Sequence, residues 1–202
     1  PKLVVREGDK VKTGSPLFFD KLKPEVKWAS PSSGVVTSIH FGARRIIEKI
    51  EISVEDKKPE SYKSFSSSEL NAADREAVMK NILDACIFPL IRQRPFNKVA
   101  NPNDVPRDIF VSAYNTAPLS VNVSKVIQNN KDQFQAGLTA LSKLTDGSVY
   151  LTSQKPMEFD NVTNVTIEGP HPAGNVGIQI HHIKPINPCL LYTSDAADES
   201  CS

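Results

Sequence analysis

The stretch from Glu168 to Gly177 constrains the fold of this chain more than any other, because it places three glycines and two prolines between β-branched segments. Glycine allows positive φ and close backbone approach, whereas proline fixes φ and removes a backbone donor. We therefore expect a loop with a single backbone conformation that acts as a rigid packing turn. Phosphate binding by its backbone amides is the alternative, although Pro170 and Pro172 remove two of those amides.

This loop does not match the standard nucleotide-binding motifs. Asn175 follows Gly174 where a P-loop requires lysine, and the three glycines have the wrong spacing for G-x-G-x-x-G. His171, His181 and His182 are candidate metal ligands, yet no cysteine or carboxylate cluster completes a coordination shell, so we expect no metal site. We expect His181 and His182 on a strand, where they would point to opposite faces. No serine lies in a G-x-S-x-G turn, so a hydrolase triad is not predicted.

Residues 1–55 have the pattern of a compact all-β unit. Short apolar segments alternate with turn signals at Gly8-Asp9, at Gly14 and across Ser30–Gly34. The sequence VREGDKVKTGSPL, followed by a charged turn and by SPSSGVV, resembles the barrel-sandwich hybrid fold of biotinyl and lipoyl domains. That fold contains two similar halves, and the two Gly-plus-Val stretches are a weak internal repeat that corresponds to them.

Lys23 raises a separate hypothesis about this first unit. Counting back from Gly34, it falls where carrier domains hold their modified lysine. Its neighbours Leu22 and Pro24 differ from the residues that usually flank that lysine, which are typically methionines in the biotinyl case. We therefore expect the lysines of this segment to lie in a solvated loop, with modification of Lys23 as the alternative.

Residues 56–100 are predicted to be a polar linker, over 56–68, followed by a helical segment. Asn71 with Asp74 three residues later indicates a helix start. An apolar stripe at helical spacing follows (Val78, Ile82 and Cys86). Pro89 breaks or restarts the helix, and we expect it to end in the sequence RQRPF.

Arg92, Arg94 and Lys98 form a basic cluster around Pro95-Phe96. Such a cluster can hold an anionic group or an acidic partner. The alternative is a solvated helix end, because cations also favour helix C-termini.

Residues 101–188 show the order of strand, loop, helix and strand that is typical of a βαβ crossover with a parallel sheet. The predicted strands lie at 109–111, 149–151 and 165–167. The apolar face of the intervening helix is predicted at Phe134, Leu138, Leu141 and Leu144. Because ligands and partners gather at the carboxyl ends of parallel strands, we expect both the 115–119 loop and the Gly169 loop at such ends.

Composition excludes two classes of function. With 24 basic and 23 acidic residues, the net charge is +1, so the chain lacks the basic excess of a general nucleic-acid binder. No apolar run approaches the roughly 20 residues that span a bilayer, so we expect a soluble chain, which is compatible with docking on a membrane complex. Cys86 is expected to be a buried apolar residue, and the absence of C-x-x-C argues against zinc and iron–sulfur sites.

The two ends of the sequence have a different character. The chain begins at Pro1 within a domain-like pattern, so we interpret it as a fragment. Residues 189–202 have no amphipathic period. We interpret them as a non-native tail and exclude them from the functional argument.

Several ordered segments carry a family resemblance from Pro1 to Pro188. They are VREGDKVKTGSPLF, ASPSSGVV, GARR, ADREAVMKNILDACIFPLIRQRPFNKVA, IFVSAYNTAPL, AGLTALSKLTDGSVYL and EGPHPAGNVGIQIHHIKPIN. In this order they resemble the NqrA family, the A subunits of bacterial Na+-translocating NADH:quinone oxidoreductases. The resemblance implies an α+β or α/β chain: a barrel-sandwich hybrid domain over 1–55, a linker and helical segment over 56–100, and an incomplete Rossmann-like α/β domain over 101–188. That last domain is similar to the flavin-binding subunit of respiratory complex I.

The resemblance also implies where cofactors lie. In the complex I protein, as in the C subunit of the Rnf complex, loops corresponding to Arg92–Val99 and Asn115–Leu119 help to hold flavin mononucleotide. Here the first lacks a glycine-rich run, and Asn115 stands where relatives tend to have Asp. We therefore expect no tightly bound cofactor in this chain and no catalytic residue, with NADH, flavins and iron–sulfur centres in partner subunits.

The implied function is that of a peripheral subunit on the cytoplasmic face of the bacterial inner membrane, in a respiratory pump that couples NADH oxidation by quinone to sodium export. It would dock beside the quinone-reducing membrane subunit, and quinone itself is a candidate ligand. The candidate residues for quinone or partner contact are Gly169, His171, Gly174, Arg92 and Arg94. The alternative is a carrier-type or scaffold-type binding module without redox partners.

Overall fold

The computed structural model describes residues 1–186, in which six short strands occupy the first 54 positions. The strands are β1 (Lys2–Leu3), β2 (Lys10–Val11), β3 (Pro16–Phe19), β4 (Lys27–Ala29), β5 (Gly34–Phe41) and β6 (Ile47–Val54). They form two antiparallel three-stranded sheets, with the orders β1-β3-β4 and β2-β5-β6. The predicted all-β unit is therefore confirmed.

One apolar core joins the two small sheets. Its buried members are Val5, Val11, Leu17 and Val36, and Phe18, Ile39, Ile50 and Ile52 pack against them. Each fully buried aliphatic side chain contributes about 1.5–3 kcal/mol to folding. The long β5–β6 hairpin supplies half of this set, and a register shift between Val36 and Ser38 allows Val36 and Ile39, three residues apart, to join the same core.

The polar segment after residue 55 lies along the strands. The Glu60 N–H donates to the Thr13 carbonyl at 2.8 Å, the Ser15 hydroxyl donates to the Glu60 carboxylate at 3.2 Å, and the Tyr62 hydroxyl donates to the Gly14 carbonyl at 2.8 Å. These contacts hold the segment against the β2–β3 turn.

Two helices follow, and their starts differ from the predicted one. Helix α1 (Ser67–Ala72) begins at a capping box formed by Ser66 and Glu69, and α2 (Arg75–Asp84) begins at Asp74, whose carboxylate accepts the Ala77 N–H at 2.8 Å. The predicted start at Asn71 was wrong because Asp74 is itself an N-cap. Cys86 is buried, as predicted. It lies beyond the end of α2 with φ of 57°, so it is not part of the predicted helical stripe.

The segment RQRPF is a hairpin, not the predicted helix end. After a 3-10 turn over Phe88–Leu90, β7 (Arg92–Gln93) pairs antiparallel with β8 (Lys98–Val99). The Ala100 N–H donates to the Ile91 carbonyl at 3.1 Å and closes the ladder. Pro89 ends helical hydrogen bonding, and the backbone donors then find their acceptors across the hairpin.

The chain divides into two compact units, with the boundary between Asp104 and Val105. In the second, the described elements are β9 (Ile109–Ser112), α3 (Val123–Asn129), α4 (Lys131–Ser142), β10 (Val149–Ser153), β11 (Thr163–Thr166) and α5 (Val176–Ile183). The three strands are parallel with β10 in the centre, which confirms the predicted βαβ order. Helix α3, capped by Asn122, was not predicted.

The prediction that His181 and His182 lie on a strand was wrong. Both belong to the last turn of α5, and their rings meet edge to face with centroids 5.5 Å apart. The physical reason is the cap: the Asn175 side chain accepts the Gly177 N–H at 2.9 Å, and the apolar residues Val176 and Ile180 then fall four apart.

The core of the second unit lies between the sheet and helices α3 and α4. Its buried members are Ala113, Ile127, Leu138 and Leu151, and Val111, Val123, Phe134, Met157, Phe159 and Val162 pack against them. Leu151 on the central strand is fully buried. Within residues 1–186, none of the helices combines the length and the apolar character that a bilayer crossing requires.

Candidate functional site

The loops that follow β9 and β11 meet at the carboxyl edge of the parallel sheet, as the sequence predicted. The Gly174 N–H donates to the Thr116 hydroxyl at 3.0 Å, and that hydroxyl lies 3.1 Å from His171 Nδ1. The Tyr114 hydroxyl reaches the Gly169 carbonyl at 3.5 Å. Thr116, Gly169, His171 and Gly174 are called the edge cluster below, and they include three of the five predicted contact residues.

Gly174 is required by the close approach of the two loops. A β-carbon at this position would lie 2.3 Å from the Thr116 backbone nitrogen and 2.8 Å from its hydroxyl oxygen. Any larger residue must therefore push the loops apart. This contact is the close packing that the sequence predicted for the glycine- and proline-rich loop.

A buried polar network supports the edge cluster from below. Gln179 on α5 is 1% exposed, and its amide oxygen accepts the hydroxyl of Thr152 on β10 at 2.7 Å. Its amide nitrogen donates to the Ala173 carbonyl at 3.3 Å. The glycine-rich loop and α5 are thereby tied to the central strand. A glutamine inside the apolar run GIQI was the one sequence signal for this network, and it was missed.

His171 is the one predicted histidine that joins the cluster. It is exposed, and its Nδ1 either accepts from or donates to the Thr116 hydroxyl according to its tautomer. His181 and His182 are exposed at the other end of α5. Across residues 1–186, no three His, Cys, Asp or Glu side chains come close enough together to hold a metal ion.

The loop after β9 is closed by its own hydrogen bonds and exposes apolar side chains. The Asn115 amide oxygen accepts the Ala117 N–H at 2.9 Å, and the Asn115 carbonyl accepts the Ser120 hydroxyl at 3.4 Å. Leu119 and Val121 are exposed. Asn115 therefore shapes its own loop, and an apolar surface lies next to the edge cluster along the chain.

The two segments that form the edge cluster are uncharged, whereas Lys155 in the loop after β10 and Glu168 just before Gly169 carry charges at the same end of the strands. Neither the segment 114–121 nor the segment 169–179 contains Lys, Arg, Asp or Glu. The available groups are hydroxyls, backbone amides, one imidazole and exposed aliphatic side chains. Such a surface suits a neutral ligand that has hydrogen-bonding oxygens and an apolar body. A phosphate group would find no cation among these residues.

A buried carboxylate holds the opposite edge of the same sheet. The Asp108 side chain is 1% exposed and accepts from Lys184 Nζ and from Arg107 Nε, each at 2.8 Å. Burial acts to raise the pKa of Asp108, but hydrogen bonds from Lys184, the Ser148 N–H and Arg107 outweigh it and hold that pKa below its usual value. This pairing joins the start of β9 to the residue that follows α5.

Arg92 and Arg94 lie in the first unit, on the β7–β8 hairpin. Arg92 donates to the Asn97 carbonyl across the turn. Phe96 at the tip is 74% exposed, and Arg94 is half-buried. The hairpin therefore presents cations beside an exposed aromatic ring, which is a surface for an anionic or π-rich partner. It forms a second candidate surface, described apart from the edge cluster.

Lys23 lies in the turn between β3 and β4. The Lys23 N–H donates to the Asp20 carbonyl at 3.2 Å, and the Lys23 carbonyl accepts the Val26 N–H at 2.9 Å. Its Nζ, half-buried, donates to the Ala100 carbonyl at 3.4 Å. The neighbouring Leu22 is 89% exposed.

The fold and the two surfaces define a class: a barrel-sandwich hybrid domain followed by an α/β domain with an uncharged cluster at the carboxyl edge of its sheet. Residues 1–55 match the family model described as the NqrA N-terminal barrel-sandwich hybrid domain. Residues 73–191 match the one described as the NqrA second alpha/beta domain. The chain therefore belongs to the NqrA family, and both the predicted family and the predicted fold class are confirmed.

Curated relatives carry the same assignment. The chain is 39% identical over 192 residues to the A subunit of the Na(+)-translocating NADH-quinone reductase of Alcanivorax borkumensis, a match that covers 92% of this chain. It is 38% identical to the corresponding protein of Saccharophagus degradans and 37% identical to that of Pasteurella multocida, over 93% of the chain in both cases. The chain spans 43% of the length of each of these relatives.

Proposed function

We propose that this chain is part of a peripheral A subunit of a sodium pump that couples NADH oxidation by quinone to sodium export, at the cytoplasmic face of the bacterial inner membrane. Its role is to contact quinone or a neighbouring subunit, above all the quinone-reducing membrane subunit. Family membership supports this proposal, since the relatives are named as subunits of the Na(+)-translocating NADH-quinone reductase. NADH, flavins and iron–sulfur centres belong to the partner subunits.

The observation that supports quinone as the ligand is the uncharged edge cluster. A quinone has carbonyl oxygens that accept hydrogen bonds and a ring that packs on aliphatic side chains. The Thr116 hydroxyl and the His171 imidazole share one hydrogen bond, so the pair has one donor left for a quinone oxygen, either the imidazole Nε2–H or the hydroxyl according to the tautomer. Leu119 and Val121 supply exposed apolar surface nearby in the chain. Flavin mononucleotide fits these two segments less well, because they contain no cation for its phosphate. Lys155, in the loop after β10, is the group at this edge that a flavin phosphate would need.

The test is a titration of the full chain with a short-chain ubiquinone and, separately, with flavin mononucleotide. Calorimetry is the direct readout. The chain's one tryptophan, Trp28, stacks on Phe18 in the first unit, so its fluorescence does not report on binding in the second. A Val121→Trp variant places a fluorophore on the exposed loop beside the edge cluster. We expect saturable quinone binding and no flavin binding.

Replacement of His171 by Ala should weaken quinone binding about tenfold, since a hydrogen bond of this kind contributes about 1 kcal/mol or slightly more. His182→Ala is the matched control, because His182 is an exposed histidine outside the edge cluster. Equal quinone affinity of the two variants, or tight flavin binding, contradicts the proposed site. The isolated chain should not oxidise NADH with quinone as acceptor.

A second candidate function follows from the barrel-sandwich fold. Lys23 occupies a β-turn between two adjacent strands, which is where a carrier domain presents its modified lysine. Its Nζ is instead within hydrogen-bonding distance of the Ala100 carbonyl, so we rank this function below the first. Mass spectrometry of protein produced with lipoyl and biotinyl ligases tests it, because a mass increase on Lys23 would favour a carrier module.

A further inference from the structure

The longest hairpin of the chain ends in a turn with an unusual sequence. Strands β5 and β6 are joined by residues 42–46, where the Gly42 N–H donates to the Ile46 carbonyl at 2.8 Å and the Ile46 N–H donates to the Ala43 carbonyl at 3.3 Å. The two central residues, Arg44 and Arg45, have φ of 55° and 59°. This is the geometry of a type I′ turn, for which Asn-Gly is the favoured pair.

Two arginines at these positions are conformationally costly. The left-handed region brings a side chain's Cβ close to the following carbonyl, and glycine or asparagine avoids most of that cost. Neither guanidinium forms a hydrogen bond or ion pair with any residue in the described part of the chain. No direct contact within the described residues therefore uses their charge to stabilise the fold, and strained residues of this kind cluster at functional sites.

The tip also exposes two large apolar side chains. Phe41 is 49% exposed and Ile46 is 59% exposed, on either side of the arginines. The core of the first unit ends along this hairpin at Ile39 and Ile50, so the residues beyond them project past it. The Glu48 carboxylate lies against Gly42 at the base of the turn.

We propose that this tip, residues 41–46, contacts the surface of a membrane that contains anionic lipids. Arginines flanked by exposed aromatic and aliphatic side chains match that surface, because the guanidinium groups bind phosphate headgroups while the apolar side chains enter the acyl boundary. A protein partner is disfavoured by size: a stable interface needs about 20–30 residues on each side, whereas six project here. This inference goes beyond the proposed function, which concerns quinone and neighbouring subunits.

The test is flotation of the full chain with vesicles of phosphatidylglycerol and phosphatidylcholine, compared with vesicles of phosphatidylcholine alone. We expect binding to the anionic vesicles that weakens as salt is raised. Each cation near such a surface contributes roughly a fivefold factor to partitioning. The double variant R44N/R45G should therefore bind about 25-fold more weakly, and because it installs the favoured turn pair it should also melt at a higher temperature than the wild type.

Two further variants complete the design. K57Q/K58Q removes two exposed positive charges from the same unit and should bind the anionic vesicles far better than R44N/R45G. F41S/I46S keeps both arginines and should lose binding through its apolar part. Unchanged binding of R44N/R45G, or equal binding of the wild type to both kinds of vesicle, overturns the proposal. Absence of wild-type binding to the anionic vesicles also overturns it. An acidic groove of a protein partner is then the alternative binding surface for the tip. No quinone is present, so the outcome is independent of the proposed function.

Discussion

The Gly174 amide donates to the Thr116 hydroxyl at 3.0 Å, across the two loops that end neighbouring strands of the parallel sheet. This contact brings His171 within 3.1 Å of the same hydroxyl. One threonine oxygen thus connects the glycine-rich loop to the loop after β9. The geometry of the edge cluster depends on the absence of a side chain at position 174.

Replacement of Gly174 by alanine should therefore destabilise the chain by about 2–3 kcal/mol, because the added methyl overlaps the Thr116 backbone. The measurement is the free energy of unfolding in urea. Gly137→Ala is the matched control: that glycine lies in α4 with open space around it, so the same change should stabilise the chain by about 0.5–1 kcal/mol. Similar stability of the two variants would show that the loops are free to separate.

Local patterns in the sequence were sufficient to predict the second unit's sheet. The strands at 109–112 and 149–153 and the helix containing Phe134 and Leu138 each carry their own periodicity. The order of these elements then requires a right-handed parallel crossover. The Gly169 and Asn115 loops fall at the carboxyl edge for the same reason. This part of the candidate site followed from sequence because each step depended on neighbouring residues.

The features that were missed depend on pairing across distance or on very short elements. Strands β7 and β8 have two residues each, which is too short for alternation to appear. The run from Val176 to Ile183 is short and apolar, and such runs do not distinguish strand from helix. The hydrogen bond between Thr152 and Gln179 joins residues 27 positions apart, so no local pattern specifies it.

Asp108 gives a pH dependence of stability. Because its folded-state pKa is held below its usual value of 3.8, the carboxylate stabilises the fold above about pH 4, and this contribution is lost as pH falls through the folded-state pKa. Asp108→Asn should cost about 1–2 kcal/mol at neutral pH, since it removes a buried carboxylate whose partners Lys184 and Arg107 are half-exposed and remain solvated. The difference from the wild type should shrink in acid. Thermal melts from pH 3 to pH 7 measure it.

Asp146→Asn is the charge-matched control for that experiment, since Asp146 is an exposed carboxylate with no ion pair among the described residues. It should change stability by less than about 0.5 kcal/mol. A cost for Asp108→Asn that stays constant down to pH 3 would mean that the carboxylate charge is not what Lys184 and Arg107 recognise.

Ser66 should determine the stability of the first helix. Its hydroxyl accepts the Glu69 N–H at 3.3 Å, and the Glu69 carboxylate accepts the Ser66 N–H at 2.8 Å. Ser66→Ala should cost about 1 kcal/mol, whereas Ser67→Ala, one residue inside the helix, should cost nothing measurable. Amide hydrogen exchange of α1 is the readout, because it separates local fraying from global unfolding. Equal protection in the two variants would exclude the capping box as the cause.

The buried pair of Thr152 and Gln179 should show energetic coupling. In Thr152→Val, the Gln179 amide oxygen loses its donor inside the core, which should cost about 1–3 kcal/mol. In Gln179→Leu, the Thr152 hydroxyl still reaches the Val111 carbonyl at 3.3 Å, but the bond to Ala173 is lost. The double variant leaves neither buried partner unsatisfied, so its cost should fall about 1 kcal/mol or more below the sum of the two single costs. Urea unfolding of the four proteins measures this cycle. Strict additivity would show that water or a rotated side chain already satisfies the glutamine, and the glycine-rich loop would then depend on Gly174 and Thr116 alone.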